Sequence, residues 1–451
     1  MVFPRLLTCL PFLGIVLALI APSVAVSATG SRVLFLVAPN FDHHDLSQYT
    51  TDLEARGLDV QIHFSAEPEI HFFEFGERVY DHIIITLPSS QKSLGPAFNS
   101  KPLLDFVEAG GNIMVLLNPS QHALAVVREL GQQLDILLPS RDLTLVDHFN
   151  YDPKLSPVSH DAIILDPSTS LVAPYVASIE ASAGKIIYPK GSAISLGNNI
   201  LVFPVLRASE TAYLYSPSEE PLLSEMPYVT GTQAFLTVGF QARNNGRILF
   251  VGSSALFSNE AFENLETSNR DLAVQLSKWV FQEKSVIKLT SVTHNLVNST
   301  ELNPSIYRVK EEVEYQIGLS EFVEGEWVPF ITDDVQLEFT MLDPYYRLNL
   351  TSAESDGTSQ FYRTTFMIPD QHGMFSFILD YKRTGLSYVY DKQVVTVRHF
   401  GHNEFQRSFS IPNAWPYITS IAVVVVAWLA LVFLWLFSGN DTSTTVGKKD
   451  N

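Results

Sequence analysis

Arg32-Val33-Leu34-Phe35-Leu36-Val37-Ala38 is a continuous apolar run that decides the fold of the first half of the chain. Strands that are apolar along their whole length are typical of parallel sheets with both faces buried. Apolar residues then recur at helical spacing from Leu46 to Leu53, and Gly57 follows as a stop signal. A second strand is predicted from Val60 to Phe64. This strand–helix–strand order indicates a unit of parallel sheet.

The same alternation continues to about residue 285. A helix is predicted to begin at Pro102 and to end at Gly110, and another begins at Ser268, with Asp271 completing a capping-box-like start. Further strands are predicted at His82–Leu87, Asn112–Leu117, 161–165, 185–188, 199–203 and Arg247–Gly252. We therefore expect an α/β domain over residues 29–285, with a parallel sheet covered by helices on both faces.

From 286 to 411 the pattern changes to alternation without helices. Apolar residues repeat at every second position from Val313 to Leu319, from Val335 to Phe339 and from Phe375 to Leu379. Short alternating strands separated by turns such as Glu324-Gly325-Glu326 indicate an antiparallel β-sandwich. We expect residues 286–411 to form this all-β domain together with a short link to the membrane.

Residues 1–28 are typical of a signal peptide. Arg5 supplies a positive charge, and an apolar stretch from Leu10 to Ile20 is too short to span a bilayer. Two small-x-small pairs follow, Ser23 with Ala25 and Val26 with Ala28, and each fits a cleavage site. The alternative, an uncleaved anchor, is disfavoured by the short apolar core.

Residues 412–438 are predicted to form a single transmembrane helix. The core from Tyr417 to Phe437 has 21 residues and no charge, a length of about 31 Å as a helix. Trp415 and Trp435 lie near its two edges, as interfacial anchors do. A cleaved signal with one late span predicts a type I protein, with its bulk in the lumen and residues 439–451 in the cytosol.

The tail ends with Lys448-Lys449-Asp450-Asn451. Lysines three and four from the C-terminus of a type I tail are similar to the dilysine signal that coat proteins read for return to the endoplasmic reticulum. The alternative is a pair of stop-transfer lysines that obeys the positive-inside rule. The distance of about ten residues from the span favours retrieval.

Composition excludes several classes of function. With 29 Lys and Arg against 48 Asp and Glu, the formal charge is −19, which gives no electrostatic footprint for nucleic acid. Cys9, the one cysteine, lies in the predicted signal, so the mature chain is expected to have no disulfide, thiolate nucleophile or Cys-ligated zinc. The sequence contains no G-x-G-x-x-G after a strand, no Walker loop and no H-E-x-x-H, and we expect no cofactor.

Two clusters could carry chemistry in a self-sufficient lumenal hydrolase. Asp42, His43 and His44 follow the first strand, where open α/β folds place ligand sites. Asp147 with His148 could form a carboxylate–imidazole pair. A polar turn explains either cluster more simply, with Asp45 as a helix N-cap in the first. Gly252-Ser253-Ser254 follows a strand but lacks the G-x-S-x-G pattern of a nucleophile elbow.

The sequence contains three glycosylation sequons. Those at Asn298 and Asn349 lie on the expected lumenal side, whereas Asn440 lies beyond the span in the expected cytosolic tail. We therefore expect Asn298 and Asn349 to be available for glycosylation and Asn440 not to be.

Seven longer stretches resemble one known family. They are Gly239–Phe250, Phe75–Asp81, Val146–Asp152, Ser277–Phe281, Trp327–Phe330, Asp333–Phe339 and Ile411–Tyr417. Taken in chain order, they are similar to the DDOST-type subunit of oligosaccharyltransferase. This is the endoplasmic-reticulum complex that transfers a lipid-linked oligosaccharide en bloc to Asn of N-x-S/T in nascent chains. The resemblance covers essentially the whole mature chain.

The resemblance implies an accessory role in that complex and an amidotransferase-like N-terminal sheet that has lost its nucleophile. The catalytic subunit of the family's complex is a different, many-span protein with a W-W-D-Y-G motif, which this chain lacks. The implied partners are the other subunits of the complex. The Asp42-to-Asp45 turn departs from the family pattern, so the resemblance assigns no catalytic residue. A cell-surface receptor is disfavoured by the dilysine tail and the missing disulfides.

Overall fold

A computed structural model describes residues 27–37, 43–64, 70–86, 98–118, 123–139, 143–180, 184–216, 228–263, 267–297, 299–405 and 413–438. In the α/β part of these residues the strands are β1 (Arg32–Val37), β2 (Asp59–Phe64), β3 (Phe73–Glu74), β4 (Glu77–Arg78), β5 (His82–Thr86), β6 (Asn112–Leu116), β7 (Ile136–Leu137), β8 (Thr144–Val146), β9 (Ala162–Leu165), β10 (Ile186–Pro189), β11 (Ser195–Leu196), β12 (Val202–Arg207), β13 (Tyr213–Tyr215), β14 (Phe235–Gln241) and β15 (Arg247–Val251). The helices are α1 (Ser47–Ala55), α2 (Ser100–Glu108), α3 (Ala125–Gln133), α4 (Pro167–Ser170), α5 (Asn259–Glu263) and α6 (Asn269–Val280).

The central sheet has seven strands in the order β12-β14-β15-β6-β5-β1-β2. The five strands from β15 to β2 are parallel, as predicted, and helices α1 and α2 form the crossovers from β1 to β2 and from β5 to β6. The chain leaves β1 toward β2 and then returns to place β5 on the other side of β1. In doubly wound sheets such a reversal opens a crevice at the carboxyl ends of the strands.

Both faces of the sheet are covered, which explains the unbroken apolar run of β1. Val33, Phe35 and Val37 pack into a core with α1 and α6. Leu34 and Leu36 pack into a second core with α2 and α3. Alternate side chains of one strand therefore enter different cores, so no position from Val33 to Val37 faces water.

One edge of the sheet differs from the prediction of a purely parallel sheet. Strands β14 and β12 run antiparallel to their neighbours β15 and β14. The predicted strand at 199–203 lies instead at Val202–Arg207. A tight turn after Gln241 joins β14 to β15, and a turn of this length can only connect antiparallel strands.

At two helix N-termini the predicted side chain does not form the capping hydrogen bond. Asp45 lies in a 3₁₀ turn, His43–Leu46, and α1 begins two residues later, at Ser47. The α1 amide of Gln48 is instead capped from another segment, since it donates to Oδ1 of Asn259 at 3.0 Å. At α6, Ser268 occupies the N-cap position, but its side chain accepts no capping hydrogen bond.

The second part is an antiparallel sandwich of two five-stranded sheets, as predicted. One sheet has the order β16-β18-β23-β22, with β19 paired to β18, and the other has the order β17-β25-β24-β20-β21. The strands are β16 (Val286–Leu296), β17 (Ile306–Arg308), β18 (Glu312–Val323), β19 (Glu326–Pro329), β20 (Gln336–Thr340), β21 (Pro344–Asn349), β22 (Thr351–Ser355), β23 (Gln360–Met367), β24 (Gly373–Tyr381) and β25 (Val389–Arg398).

Aromatic rings fill the space between the two sheets. Tyr315 of one sheet stacks on Phe377 of the other with ring centroids 5.3 Å apart, and Phe339 packs on Phe366 at 5.2 Å. The alternating positions predicted to face inward, from Val313, Val335 and Phe375 onward, are fully buried. The period-2 pattern therefore identifies the inner face of each sheet correctly.

The chain groups into two compact units, Met1–Val397 and Arg398–Asn451. The first contains the α/β sheet and the sandwich. The second contains α7 (Trp415–Ser438), a 24-residue helix long and apolar enough to cross a membrane. The helix lies within the span predicted at 412–438.

Candidate functional site

A cleft of about 380 Å³ lies at the carboxyl ends of the parallel strands. Asn118, after β6, and Ser254, after β15, line it, together with Asp45 and the pair Asp161 and Lys190. This is the position at which a doubly wound fold holds a ligand. An enzyme with this fold would therefore hold its reacting groups in this cleft.

Two serines at this cleft are held by backbone carbonyls. Ser253, next to the lining residue Ser254, is fully buried, and its Oγ donates to the Pro189 carbonyl at 2.5 Å. Ser258 lines the cleft, and its Oγ donates to the Ala255 carbonyl at 2.8 Å. Among the described residues that line the cleft there is no histidine to serve as a base. The Ser258 hydroxyl therefore stabilises a local turn, and the Ser253 hydroxyl joins the end of β15 to the end of β10.

The predicted cluster at residues 42–44 is only partly visible. Asp42 lies outside the described residues, and only the backbone of His43 is described. His44 is exposed, and its carbonyl accepts from Nδ2 of Asn259 at 2.8 Å. Within the described part of the chain, no group of three His, Cys, Asp or Glu residues could hold a metal ion.

Asp147 and His148 do not form the carboxylate–imidazole pair that the sequence left open as an alternative to a polar turn. Asp147 is fully buried, and its carboxylate accepts hydrogen bonds from Ser209 and from Thr211, the latter at 2.8 Å. The backbone amide of Phe149 also donates to it, at 2.9 Å. Burial alone would raise the pKa of Asp147, but these hydrogen bonds, with that of Ser209 foremost, hold its pKa below the ordinary value. Asp147 is therefore the centre of a turn and remains ionised.

His148 is exposed and points away from Asp147. Its Nδ1 lies 2.5 Å from Nδ1 of His160, and its Nε2 lies 2.9 Å from the Tyr213 hydroxyl. His160 stacks on Tyr151 with ring centroids 4.0 Å apart. The chain bends at 148–150 and the Asp147 carboxylate turns back onto the Phe149 amide, so the two side chains of this sequence pair separate in space.

The opposite, amino end of the sheet holds a denser set of buried polar groups, which the sequence analysis did not predict. Arg247 is fully buried, and its guanidinium donates to the carbonyls of Trp279 at 2.6 Å and Ser285 at 2.6 Å. It also donates to the Lys284 carbonyl at 3.0 Å and lies 4.9 Å from the centre of the Trp279 ring. Burial lowers the pKa of Arg247 to about 9, still well above neutrality.

The β14–β15 turn continues this set toward the sandwich. Nε2 of Gln241 donates to the Leu386 carbonyl at 2.7 Å. The Asn245 side chain accepts from the Tyr388 amide at 2.7 Å and donates to the Tyr388 carbonyl at 3.2 Å. It therefore bonds both backbone groups of Tyr388, as a neighbouring strand would. The Trp279 indole donates to the Gly385 carbonyl at 2.7 Å. These contacts all reach the loop that joins β24 to β25.

We call this region the junction and define it by Gln241, Asn245, Arg247, Trp279 and the 382–388 loop. Each named side chain joins the α/β sheet to backbone of the sandwich or of the segment that leads into it. The buried backbone carbonyls that accept from these side chains fix one geometry, because any other would leave the carbonyls unpaired. The junction therefore holds the two parts in one arrangement.

His82 and Asn112 extend the polar layer to the first strands. Nδ2 of Asn112 lies 3.2 Å from Nδ1 of His82, and Oδ1 of Asn112 accepts from the Arg247 amide at 2.9 Å. Nε2 of His82 lies 3.0 Å from the Gly30 carbonyl and therefore carries the hydrogen. Burial lowers the pKa of His82 to about 4, so the ring is neutral at neutral pH.

The sequence contains a pattern that could have indicated the junction. Between the apolar strands β14 and β15 the chain contains Gln241, Asn244, Asn245 and Arg247 within seven residues. When several polar residues lie this close together beside fully buried strands, their side chains need hydrogen-bond partners. The stretch carries a family resemblance in its sequence. The hydrogen-bond partners of its side chains lie up to 145 residues away, so a local pattern does not reveal them.

Of the remaining predicted sites, only Asn349 lies among the residues that the structure describes. Asn298, Lys448 and Lys449 lie outside the described residues. Asn349 is exposed at the end of β21, and its Oδ1 accepts from Gln336 at 2.9 Å. Its position on the surface leaves the side chain reachable.

Two family models match the chain in succession. The model described as OST48, N-terminal domain, covers residues 24–283, and that described as OST48 middle domain covers 294–439. Their boundary falls between α6 and the interior of β16.

Curated relatives match over nearly the same length. The Schizosaccharomyces pombe dolichyl-diphosphooligosaccharide–protein glycosyltransferase subunit wbp1 is 39% identical over 87% of this chain and 90% of its own. The Saccharomyces cerevisiae subunit WBP1 is 33% identical over 90% and 89%, and the Danio rerio 48 kDa subunit is 32% identical over 88% and 89%. Among solved structures, the C-terminal domain of wzt matches 28% of this chain and 83% of its own, at 14% identity and a TM-score of 0.18, too low to support an argument.

Proposed function

Because this chain belongs to the OST48 family, we propose that it works as a non-catalytic subunit of oligosaccharyltransferase in the endoplasmic-reticulum membrane. The observation that carries this function is the match to relatives named as subunits of that glycosyltransferase, over about nine-tenths of both chains. Its partners are the other subunits of the complex, and the chemistry of transfer belongs to another of them.

The rival hydrolase has no support. Of its two candidate clusters, the one at 42–44 lies partly outside the described residues. In the other, Asp147 accepts hydrogen bonds from Ser209 and Thr211, whereas His148 contacts Tyr213. His148→Ala in the assembled complex should leave glycan transfer unchanged, while Asp147→Ala should act only through the amount of folded protein. Hydrolysis by the purified chain that His148→Ala abolishes would restore the rival.

The subunit function is tested by depletion. Loss of the chain should leave sequons under-occupied on many secreted proteins and should lower the levels of its partner subunits. The full chain should rescue both, whereas a chain that ends before α7 should not, because an uncharged helix with a small and β-branched stretch at Ile421–Ala427 can pack closely on other helices. Full rescue by the anchorless chain, or transfer by the purified chain alone, contradicts the proposal.

The proposed topology is type I, with a cleaved signal at the N-terminus, the bulk of the chain in the lumen and residues 439–451 in the cytosol. Support comes from the apolar core at Leu10–Ile20 and from the single membrane-length helix among the described residues. In this topology Asn298 and Asn349 can accept glycans and Asn440 cannot. Endoglycosidase should shift the mobility of the chain, and Asn440→Gln should not alter the shift. A glycan mapped to Asn440 would reverse the orientation.

The proposed domain limits are 29–285, 286–411 and 412–438, and the tail is proposed to carry a retrieval signal read by coat proteins. Lys448 and Lys449 stand at the third and fourth positions from the C-terminus. A reporter with only the span and tail should stay intracellular, and Lys448→Ala with Lys449→Ala should release it to the cell surface. Equal retention of both reporters contradicts the signal.

A further inference from the structure

A short segment at the start of the described chain is built into the amino end of the sheet. Ser27 is 2% exposed, and its Oγ donates to the Phe281 carbonyl at 2.5 Å. The next amide, of Ala28, donates to the Gln282 carbonyl at 3.1 Å. Phe281 and Gln282 directly follow α6 and adjoin the junction. These two bonds satisfy carbonyls at the C-terminal end of that helix.

The same segment covers the buried His82. Ser27 Oγ lies 3.4 Å from Nε2 of His82, which in turn donates to the Gly30 carbonyl at 3.0 Å. Thr29 Oγ1 accepts from Nδ2 of Asn112 at 3.2 Å. Ser27 to Gly30 therefore supply part of the hydrogen bonding that keeps a neutral imidazole and a buried amide satisfied.

The proposed signal offers two cleavage positions, and they differ in what they leave of this segment. Cleavage after Ala28 removes both Ser27 and the Ala28 amide, so the Phe281 and Gln282 carbonyls lose their donors. It also creates an α-ammonium on Thr29, close to His82. Cleavage after Ala25 leaves every one of these contacts in the mature chain.

We infer that the signal is cleaved between Ala25 and Val26, so that the mature chain begins at Val26 and keeps Ser27 as a structural residue. This inference rests on the proposed signal peptide. The sequence agrees with it, since Ser23 and Ala25 are small residues close behind the apolar core that ends at Ile20. The match to the OST48 N-terminal domain also begins at residue 24, before Ser27.

The test identifies the first residue of the full-length chain purified from membranes of cells that process it. Free α-amines are labelled before digestion, and the N-terminal peptide is sequenced by mass spectrometry. A predominant start at Val26 is expected. A predominant start at Thr29 overturns this inference but leaves a cleaved signal, whereas a chain that retains residues 1–25 overturns the proposed signal itself.

Two matched variants separate the positions further. Ala25→Leu should remove the start at Val26, whereas Ala28→Leu should leave it unchanged, because the Ala28 side chain is exposed and can be enlarged. The opposite pattern, processing blocked only by Ala28→Leu, overturns the inference.

The structural role of Ser27 is tested with one foreign signal fused either before Val26 or before Thr29. The chain that begins at Thr29 should unfold at a lower temperature than the chain that begins at Val26. Equal unfolding temperatures would show that the segment is dispensable and would remove the structural basis of the inference.

Discussion

The two ends of the seven-stranded sheet differ in what their polar side chains do. At the carboxyl end, a cleft of about 380 Å³ is lined by groups such as Asp45 and Lys190, and Ser258 in its wall supports a local turn. At the amino end, Arg247, Asn245 and Gln241 are bonded to backbone that leads into or belongs to the sandwich. An enzyme on this fold would concentrate its precise polar contacts at the carboxyl end.

This difference has a consequence for function. The polar side chains of the Gly239–Phe250 stretch, which first pointed to the family, hold two parts of the molecule together rather than a reacting atom. A rigid two-part body is what a subunit needs when it must present fixed surfaces to neighbours. A doubly wound sheet does not by itself imply catalysis, and here the side-chain contacts with the sandwich lie at its amino end.

The largest expected effect is that of Arg247→Met. Methionine fills much of the volume but leaves the carbonyls of Trp279, Lys284 and Ser285 without their donor in a buried site. We expect a loss of about 3–5 kcal/mol in the free energy of unfolding. Chemical unfolding of the purified full chain in detergent measures it. Arg243→Met, at an exposed position in the same turn, is the matched control and should change stability little. Equal effects of the two variants would contradict the junction's role.

The next effect is a pH dependence that arises at the amino end. The pKa of His82 is about 4 in the folded chain, below its ordinary value near 6.5, so the unfolded chain binds the extra proton between these two pH values. Stability should therefore be fully present above about pH 6.5 and should fall as pH drops toward 4, by about 1.4 kcal/mol per unit at most.

His82→Gln should flatten this dependence, because glutamine does not titrate. His402→Gln, at an exposed position in the second unit, should leave it as in the parent chain. Thermal unfolding of the three chains across this pH range compares them. A His82→Gln chain whose stability falls as steeply as that of the parent would place the titrating group elsewhere.

A smaller effect is expected for Asn245→Gly. Asn245 has φ = 68°, which glycine adopts freely, so the change removes the two bonds to Tyr388 without adding strain. We expect a loss of about 1–2 kcal/mol. Glu324→Gly, at φ = 50° in the exposed turn between β18 and β19, controls for the positive φ and should not destabilise. If both variants were neutral, the side-chain bonds of Asn245 would not hold the loop.

The smallest change in stability is expected at the N-terminus of α1, where Asn259 and Asp45 are the two candidate capping residues. Asn259→Ala removes the acceptor of the Gln48 amide and should cost about 1 kcal/mol. Asp45→Ala should cost nothing measurable, because the structure places no cap hydrogen bond on it. Unfolding of the two variants side by side decides between the caps. A larger loss for Asp45→Ala would return the capping role to the sequence-predicted residue.

Local patterns predicted the architecture well and the junction not at all. The apolar run of β1, the helical spacing after it and the alternation from Val313 gave the parallel strands and the sandwich, because each depends on residues close in sequence. The pairing of β12 with β14 and the cap from Asn259 depend on partners far along the chain, which no local pattern contains. For Asp147 and His148 the simpler of the two sequence interpretations, a polar turn, agrees with the structure, since Asp147 accepts from the Phe149 amide and His148 contacts Tyr213.

The central claim is that this chain contributes structure, not chemistry, to glycan transfer. The direct test measures two quantities for complexes purified with variants of this chain: the yield of complex, and the rate of transfer from lipid-linked glycan to acceptor peptide per mole of complex. Arg247→Met should lower the yield and leave the rate per assembled complex unchanged, and Asp45→Ala with Lys190→Ala should change neither. A cleft variant that assembles in full yield but transfers about 100-fold more slowly, the loss expected of a catalytic acid or base, would contradict the account.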